Sequence, residues 1–93
     1  MNWNKELMKG RVLYKLARKG KYGESHTAVE NLHKGVPKHL AGLAKDTVEE
    51  LLRAGILNSK PTSYGLQVWI NVDKNDAVLR LIESFQKAQI DLI

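Results

Sequence analysis

The sequence predicts an α+β fold that is mainly helical, and three observations carry the prediction. Apolar residues recur at helical spacing near the start of the chain, from about Leu43 to Arg53, and again after Asp73. The stretch from Leu66 to Val72 alternates apolar and polar residues with the period of a strand half-buried on one face. Glycine or proline punctuates the joints between these stretches. At 93 residues the chain has room for one domain, residues 1–93, and a composition of 43% hydrophobic and 27% charged residues is that of an ordinary globular protein.

The first helix is expected from about Asn4 to Lys19, ended by Gly20 and the turn-like Lys21-Tyr22-Gly23. Its apolar residues fall in two stripes. Trp3, Leu7, Tyr14 and Ala17 form one, Met8, Val12 and Leu16 the other, with Leu13 between them and Arg11, Lys15 and Arg18 on a separate basic strip. A helix with two apolar stripes is either sandwiched inside its own domain or shared with a second subunit. Ser25 offers an N-cap for a short second helix through Leu32. Pro37 can open a brief helical turn at Lys38-His39-Leu40, which Gly42 is expected to break.

A stronger helix follows from about Leu43 to Arg53. Leu43, Ala44, Thr47, Val48, Leu51 and Leu52 gather on one side, and Lys45, Asp46, Glu49, Glu50 and Arg53 on the other. Gly55 closes it, and a strand beginning at Ile56 is expected to be interrupted by Pro61. Thr62-Ser63-Tyr64-Gly65 supplies turn chemistry, so the two strands read as a β-hairpin. Asp73, with Asp76 three residues on, suits the N-cap of a last helix at 73–89 whose buried stripe is Ala77, Val78, Leu81, Ile82, Phe85 and Ala88.

The run Thr47-Val48, Leu51-Leu52 and then Arg53-Ala54-Gly55-Ile56-Leu57 resembles the winged helix-turn-helix pattern, in which a recognition helix ends at glycine and enters a hairpin through two apolar residues. His26-Thr27, Asn31, the segment from Lys34 to Leu40 and the segment from Lys60 to Val68 are similar to parts of small archaeal winged-helix proteins of unassigned role. The resemblance covers about Arg11 to Asn71. It implies three helices, a two-stranded wing and a C-terminal helix, and duplex DNA as the partner, gripped by the third helix and the wing. Several extra residues, about Lys34 to Gly42, separate the second and third helices. If they hold a helical turn of their own, Lys34, Lys38 and His39 are carried beside the recognition surface.

Charge alone admits nucleic acid or an anionic membrane as partner, and a lysine-rich solvated face is the bland alternative. The chain carries a formal +5, and residues 1–21 hold seven lysines and arginines against Glu6 alone. Basic excess attracts polyanions through counterion release. The expected DNA contacts are Lys34, Lys38, His39, Lys45, Lys60, Thr62, Ser63 and Tyr64, because cations, hydroxyls and an aromatic ring suit phosphate and sugar contacts. The wing loop also has a purely structural reading, as good hairpin chemistry with Tyr64 packed on the sheet. Glu49 and Glu50 oppose insertion of the third helix beside phosphates. They motivate an alternative: a protein-interaction module within a larger complex, meeting a basic partner.

Other classes find little support. The chain has no cysteine, no HExxH spacing and no nucleophile elbow or glycine-rich phosphate loop, so neither a metal site, a cofactor nor an enzyme is expected. His26 reads as a helix-start polar residue, and His33 and His39 as surface groups. Met1-Asn2-Trp3-Asn4-Lys5-Glu6 begins neither a signal nor a transit peptide, no stretch is long and apolar enough for a membrane span, and a cytoplasmic setting is expected. Trp3, Leu7, Tyr14, Phe85 and Ile90, continued by Leu92 and Ile93, offer more apolar surface than one small core needs. They form the expected surface of a homodimer, unless the terminal helices pack on each other within one subunit.

Overall fold

A computed structural model of the chain describes residues 3–90, the side chain of Ile90 excepted. Its elements run α1 (Lys5–Arg18), β1 (Thr27–Ala28), a 3₁₀ turn (Val29–Leu32), a second 3₁₀ turn (Lys38–Leu40), α2 (Ala41–Arg53), β2 (Leu57–Thr62), β3 (Gly65–Ile70), a third 3₁₀ turn (Val72–Lys74) and α3 (Asn75–Ile90). The three strands form one antiparallel sheet in the order β1-β3-β2. Three helices packed with a small antiparallel sheet make an α+β, helix-turn-helix-like arrangement of the winged-helix kind.

α1 is the hub. Asn4 caps it by accepting a hydrogen bond from Leu7 N at 2.9 Å. It packs on α3 with one stripe and on α2 with the other, so the two apolar stripes are sandwiched inside the domain. Met8, Val12, Leu13 and Leu16 are buried against Ala44, Val48 and Leu51 of α2, Val78 of α3, and Leu57, Val68 and Ile70 of the sheet. Lys21 N donates to Leu16 O at 3.0 Å, and Gly20 N to Ala17 O at 3.0 Å. The same paired bonds end α2, from Ile56 N to Leu51 O and from Gly55 N to Leu52 O. This double closure requires the residue after the cap to take positive φ, which Gly20 (65°) and Gly55 (73°) supply.

Several expected boundaries are corrected. No α-helix runs from Ser25 to Leu32: Thr27 and Ala28 pair with Val68 and Gln67 as β1, and only a 3₁₀ turn follows. The segment is too short to hold a helix by itself, and β-branched Thr27 favours the strand that β3 makes available. Asn31 Nδ2 then donates to Thr27 Oγ1 at 2.8 Å, tying the turn to the strand. Gly42 does not break the chain after Leu40, because it occupies the second position of α2, where the first intrahelical bonds are not yet closed. Pro61 does not interrupt the hairpin either. It lies in β2, the edge strand, where a missing N–H is tolerated. Val72 leaves the strand and is 56% exposed, in the third 3₁₀ turn. Asp73 does not cap α3; Asn71 Oδ1 instead accepts from Asp73 N at 3.0 Å, so Asn71 starts the 3₁₀ turn that leads into α3.

Among the described residues, no helix is long and apolar enough to cross a membrane.

Candidate nucleic-acid interface

The 3₁₀ turn at Lys38–Leu40 runs directly into α2, so the extra residues before α2 form a helical turn of their own and Lys38 and His39 stand exposed at that helix's N-terminal end. Lys34 is exposed in the preceding turn. On α2, Lys45, Asp46, Glu49 and Arg53 are exposed, while Ala44, Thr47, Val48 and Leu51 are buried. Thr47 satisfies its buried hydroxyl by donating to Leu43 O at 2.7 Å.

Glu50 does not belong to this open face. Its carboxylate lies 3.0 Å from Lys5 Nζ and 3.2 Å from Lys9 Nζ, both on α1, and Lys9 also reaches Glu6 at 3.2 Å. The hydrogen bonds from Lys5 and then Lys9 hold the Glu50 carboxyl below the usual carboxylate range. Burial pulls the Lys9 ammonium down, but hydrogen bonds to Glu50 and Glu6 and their charges together leave it above its ordinary value. The open face of α2 is therefore charge-balanced, not acidic. Lys45 and Glu49, one helical turn apart on this face, do not form an ion pair among those of the described residues.

The hairpin projects its tip into solvent. Lys60, Pro61, Thr62 and Ser63 are exposed, and Tyr64 is 90% exposed, so Tyr64 does not pack on the sheet. Thr62 Oγ1 donates to Gly65 O at 2.7 Å and accepts from Tyr64 N at 3.2 Å. Its hydroxyl proton is thus committed to the turn, which leaves Lys60, Ser63 and the Tyr64 ring as the outward groups of the tip. The ribbon itself has no acid, but a Cβ built on Gly65 would lie 3.6 Å from Glu30 Oε1, so one carboxylate approaches from the 3₁₀ turn beside β1. His26 stacks on Trp69 of β3, with centroids 4.1 Å apart at 20°. His26 therefore sits against the sheet and not at a helix start.

Parts of the basic N-terminal strip are committed elsewhere. Lys15 Nζ donates to Asn31 O at 2.9 Å and Lys34 O at 2.7 Å, clasping the connection that follows β1. Burial, then the charges of Arg11, Lys19 and Lys34, lower its ammonium. Arg11 is half-buried, and Arg18 lies 5.6 Å from the centroid of the Tyr14 ring. The aromatic residues expected at a dimer surface meet within the chain. Phe85 is 5% exposed, its ring centroid 6.0 Å from that of Trp3 in a stacked pair and 6.0 Å from that of Tyr14 edge-on, with Leu7 half-buried. The Ile90 side chain, Leu92 and Ile93 lie outside the described residues. The Glu50 clasp, the Glu30 approach and the Arg11 environment were not readable from the sequence, since each joins elements distant along the chain.

Comparison with protein families, with curated proteins and with solved structures finds no match to this chain.

Proposed function

We propose that the protein binds duplex DNA, with the open face of α2, the turn at its N-terminus and the hairpin tip as the contact surface, as in a small transcriptional regulator. One observation carries the reading. Lys5 and Lys9 draw Glu50 away from the open face of α2, which removes the charge that most opposed approach to phosphates. The exposed Lys38, His39 and Lys45 on one side, and Lys60, Ser63 and Tyr64 on the other, supply cations and sugar- or phosphate-directed groups. With Asp46 and Glu49 still present, affinity comes mainly from phosphates, with limited base reading.

A short duplex titrated into isotope-labelled protein at low salt tests it. Amide shifts should move at Lys38, Lys45, Lys60 and Ser63, and the affinity should fall steeply as salt rises. Lys38→Ala and Lys60→Ala should each lower the log–log salt slope by roughly one. A titration that moves neither α2 nor the hairpin ends the proposal.

The second reading is a protein-interaction module. It is favoured by the exposure of Asp46 and Glu49, which could receive a basic partner. Charge reversal at Glu49 separates the two: DNA affinity rises under the first reading, and partner capture falls under the second.

A further inference from the structure

A cleft of about 460 Å³ opens between α1 and the C-terminal half of α3, away from the hairpin. Arg11, Lys15, Arg18 and Lys19 line it with Tyr14 and Phe85, and no carboxylate among the described residues takes part. Four cations gathered without an acid among the described residues repel one another, and burial first, then the charges of Arg11, Lys19 and Lys34, lower the Lys15 ammonium. Lys15 is already engaged with the Asn31 and Lys34 carbonyls. Arg11 is not so provided for: its Nη1 is buried and meets no hydrogen-bond acceptor among the described residues. A buried guanidinium N–H without an acceptor is costly, and a carboxylate or phosphate oxygen is the partner that relieves it best. Beside it, the edge-to-face pair of Tyr14 and Phe85 forms an apolar floor, with Arg18 over the Tyr14 ring at the rim.

We propose that this cleft binds a small organic anion, one carboxylate or phosphate group joined to an apolar, ring-sized body. The anionic group meets Arg11 once that side chain rotates to bring its closed-off Nη1 to the cleft, with Arg18 and Lys19 closing over it, and the apolar body lies on Tyr14 and Phe85. The volume falls in the range of small-molecule sites, and the mixture of apolar floor and few convergent charges is what such sites present. A duplex is the poorer occupant, because its phosphates ride on a wide rigid surface while the unpartnered nitrogen of Arg11 is buried.

The test titrates the whole chain with phenyl phosphate, benzoate, inorganic phosphate and phenol, followed by side-chain and amide NMR. Phenyl phosphate or benzoate should saturate below about 1 mM and shift Arg11, Tyr14 and Phe85, with inorganic phosphate and phenol each roughly tenfold weaker. Arg11→Met should weaken the organic anion roughly tenfold or more, while Lys60→Met on the hairpin leaves it unchanged. If Arg11→Met does not fold, Arg18→Met at the rim must weaken binding at least about threefold. The two organic anions rank the site as phosphate- or carboxylate-preferring. Absence of saturation by about 20 mM overturns the proposal, as does inorganic phosphate binding as well as phenyl phosphate, or shifts scattered over the lysines of α2 and the hairpin. Because the hairpin is not involved, failure here leaves the DNA reading standing, and loss of DNA binding in Lys60→Ala leaves this one standing.

Discussion

Gly10 sets how closely α1 and α3 approach. It is buried in the middle of α1, and a Cβ there would collide with the Leu81 carbonyl and with Cβ of Phe85. Gly10→Ala would gain helix propensity in an isolated peptide, but here the obstacle is backbone that cannot swing aside, so the helices must part. The expected result is a net loss of about 1–3 kcal/mol, read as a lower urea midpoint at unchanged slope. Glu50 gives a second residue-level prediction. Its carboxyl is held below the ordinary range by Lys5 and Lys9, so the stability it contributes is complete above roughly pH 5 and is lost as the pH falls through the carboxylate range. Thermal melts of Glu50→Gln should lie below wild type at pH 7 and converge with it by about pH 3. A gap that widens in acid would contradict the ion-pair account.

At the scale of elements, the joint between α2 and the hairpin is fixed by Gly55 and Asn71. Gly55 lets the helix close on both Leu51 and Leu52 carbonyls, and Asn71 Nδ2 donates to Gly55 O at 2.8 Å while Asn71 N donates to Ile56 O at 3.0 Å. Gly55→Ala meets no steric obstacle but must hold a positive φ, so it should cost about 1–2 kcal/mol in denaturant unfolding. The same joint shows which parts of the fold can be read from residues alone. α2, the hairpin and α3 follow from periodicity and from Gly55, because each signal is local and persists over several turns or strand pairs. β1 does not, because Thr27 and Ala28 become a strand only through Val68 and Gln67, and short polar segments take their conformation from such distant partners. Asn71 outcompetes Asp73 as the capping residue for a similar reason: its amide also serves Gly55 across the joint. In the candidate interface, the exposure of the hairpin tip follows from its turn chemistry, whereas the fates of Glu50 and Arg11 depend on helix packing that no local pattern encodes.

For the whole molecule, the question is where the basic excess of the first 21 residues goes after folding. Lys5 and Lys9 neutralise Glu50, Lys15 clasps two carbonyls, and Arg11 is half-buried with one guanidinium nitrogen closed to solvent, so much of that charge acts inside the fold and not as a diffuse positive field. A polyanion docking at the proposed interface meets the exposed cations around α2 and the hairpin, while Arg18 and Lys19 stay exposed elsewhere, and the two adjacent glutamates of α2 have different consequences. Glu49 is exposed and forms none of the ion pairs among the described residues, so Glu49→Lys adds charge to the open face with little effect on stability. It should raise DNA affinity roughly three- to tenfold at low salt and steepen the salt dependence. Glu50→Lys instead places a third ammonium beside Lys5 and Lys9, which should lower the melting temperature and raise affinity less than Glu49→Lys does, since the new charge faces α1. A joint reversal of both residues would mix a binding effect with an unfolding effect, so the two must be measured singly, with melting curves beside each titration. Equal gains in affinity from the two variants would mean that Glu50 faces the duplex after all, and the clasp from α1 would then lose its role in shaping the interface.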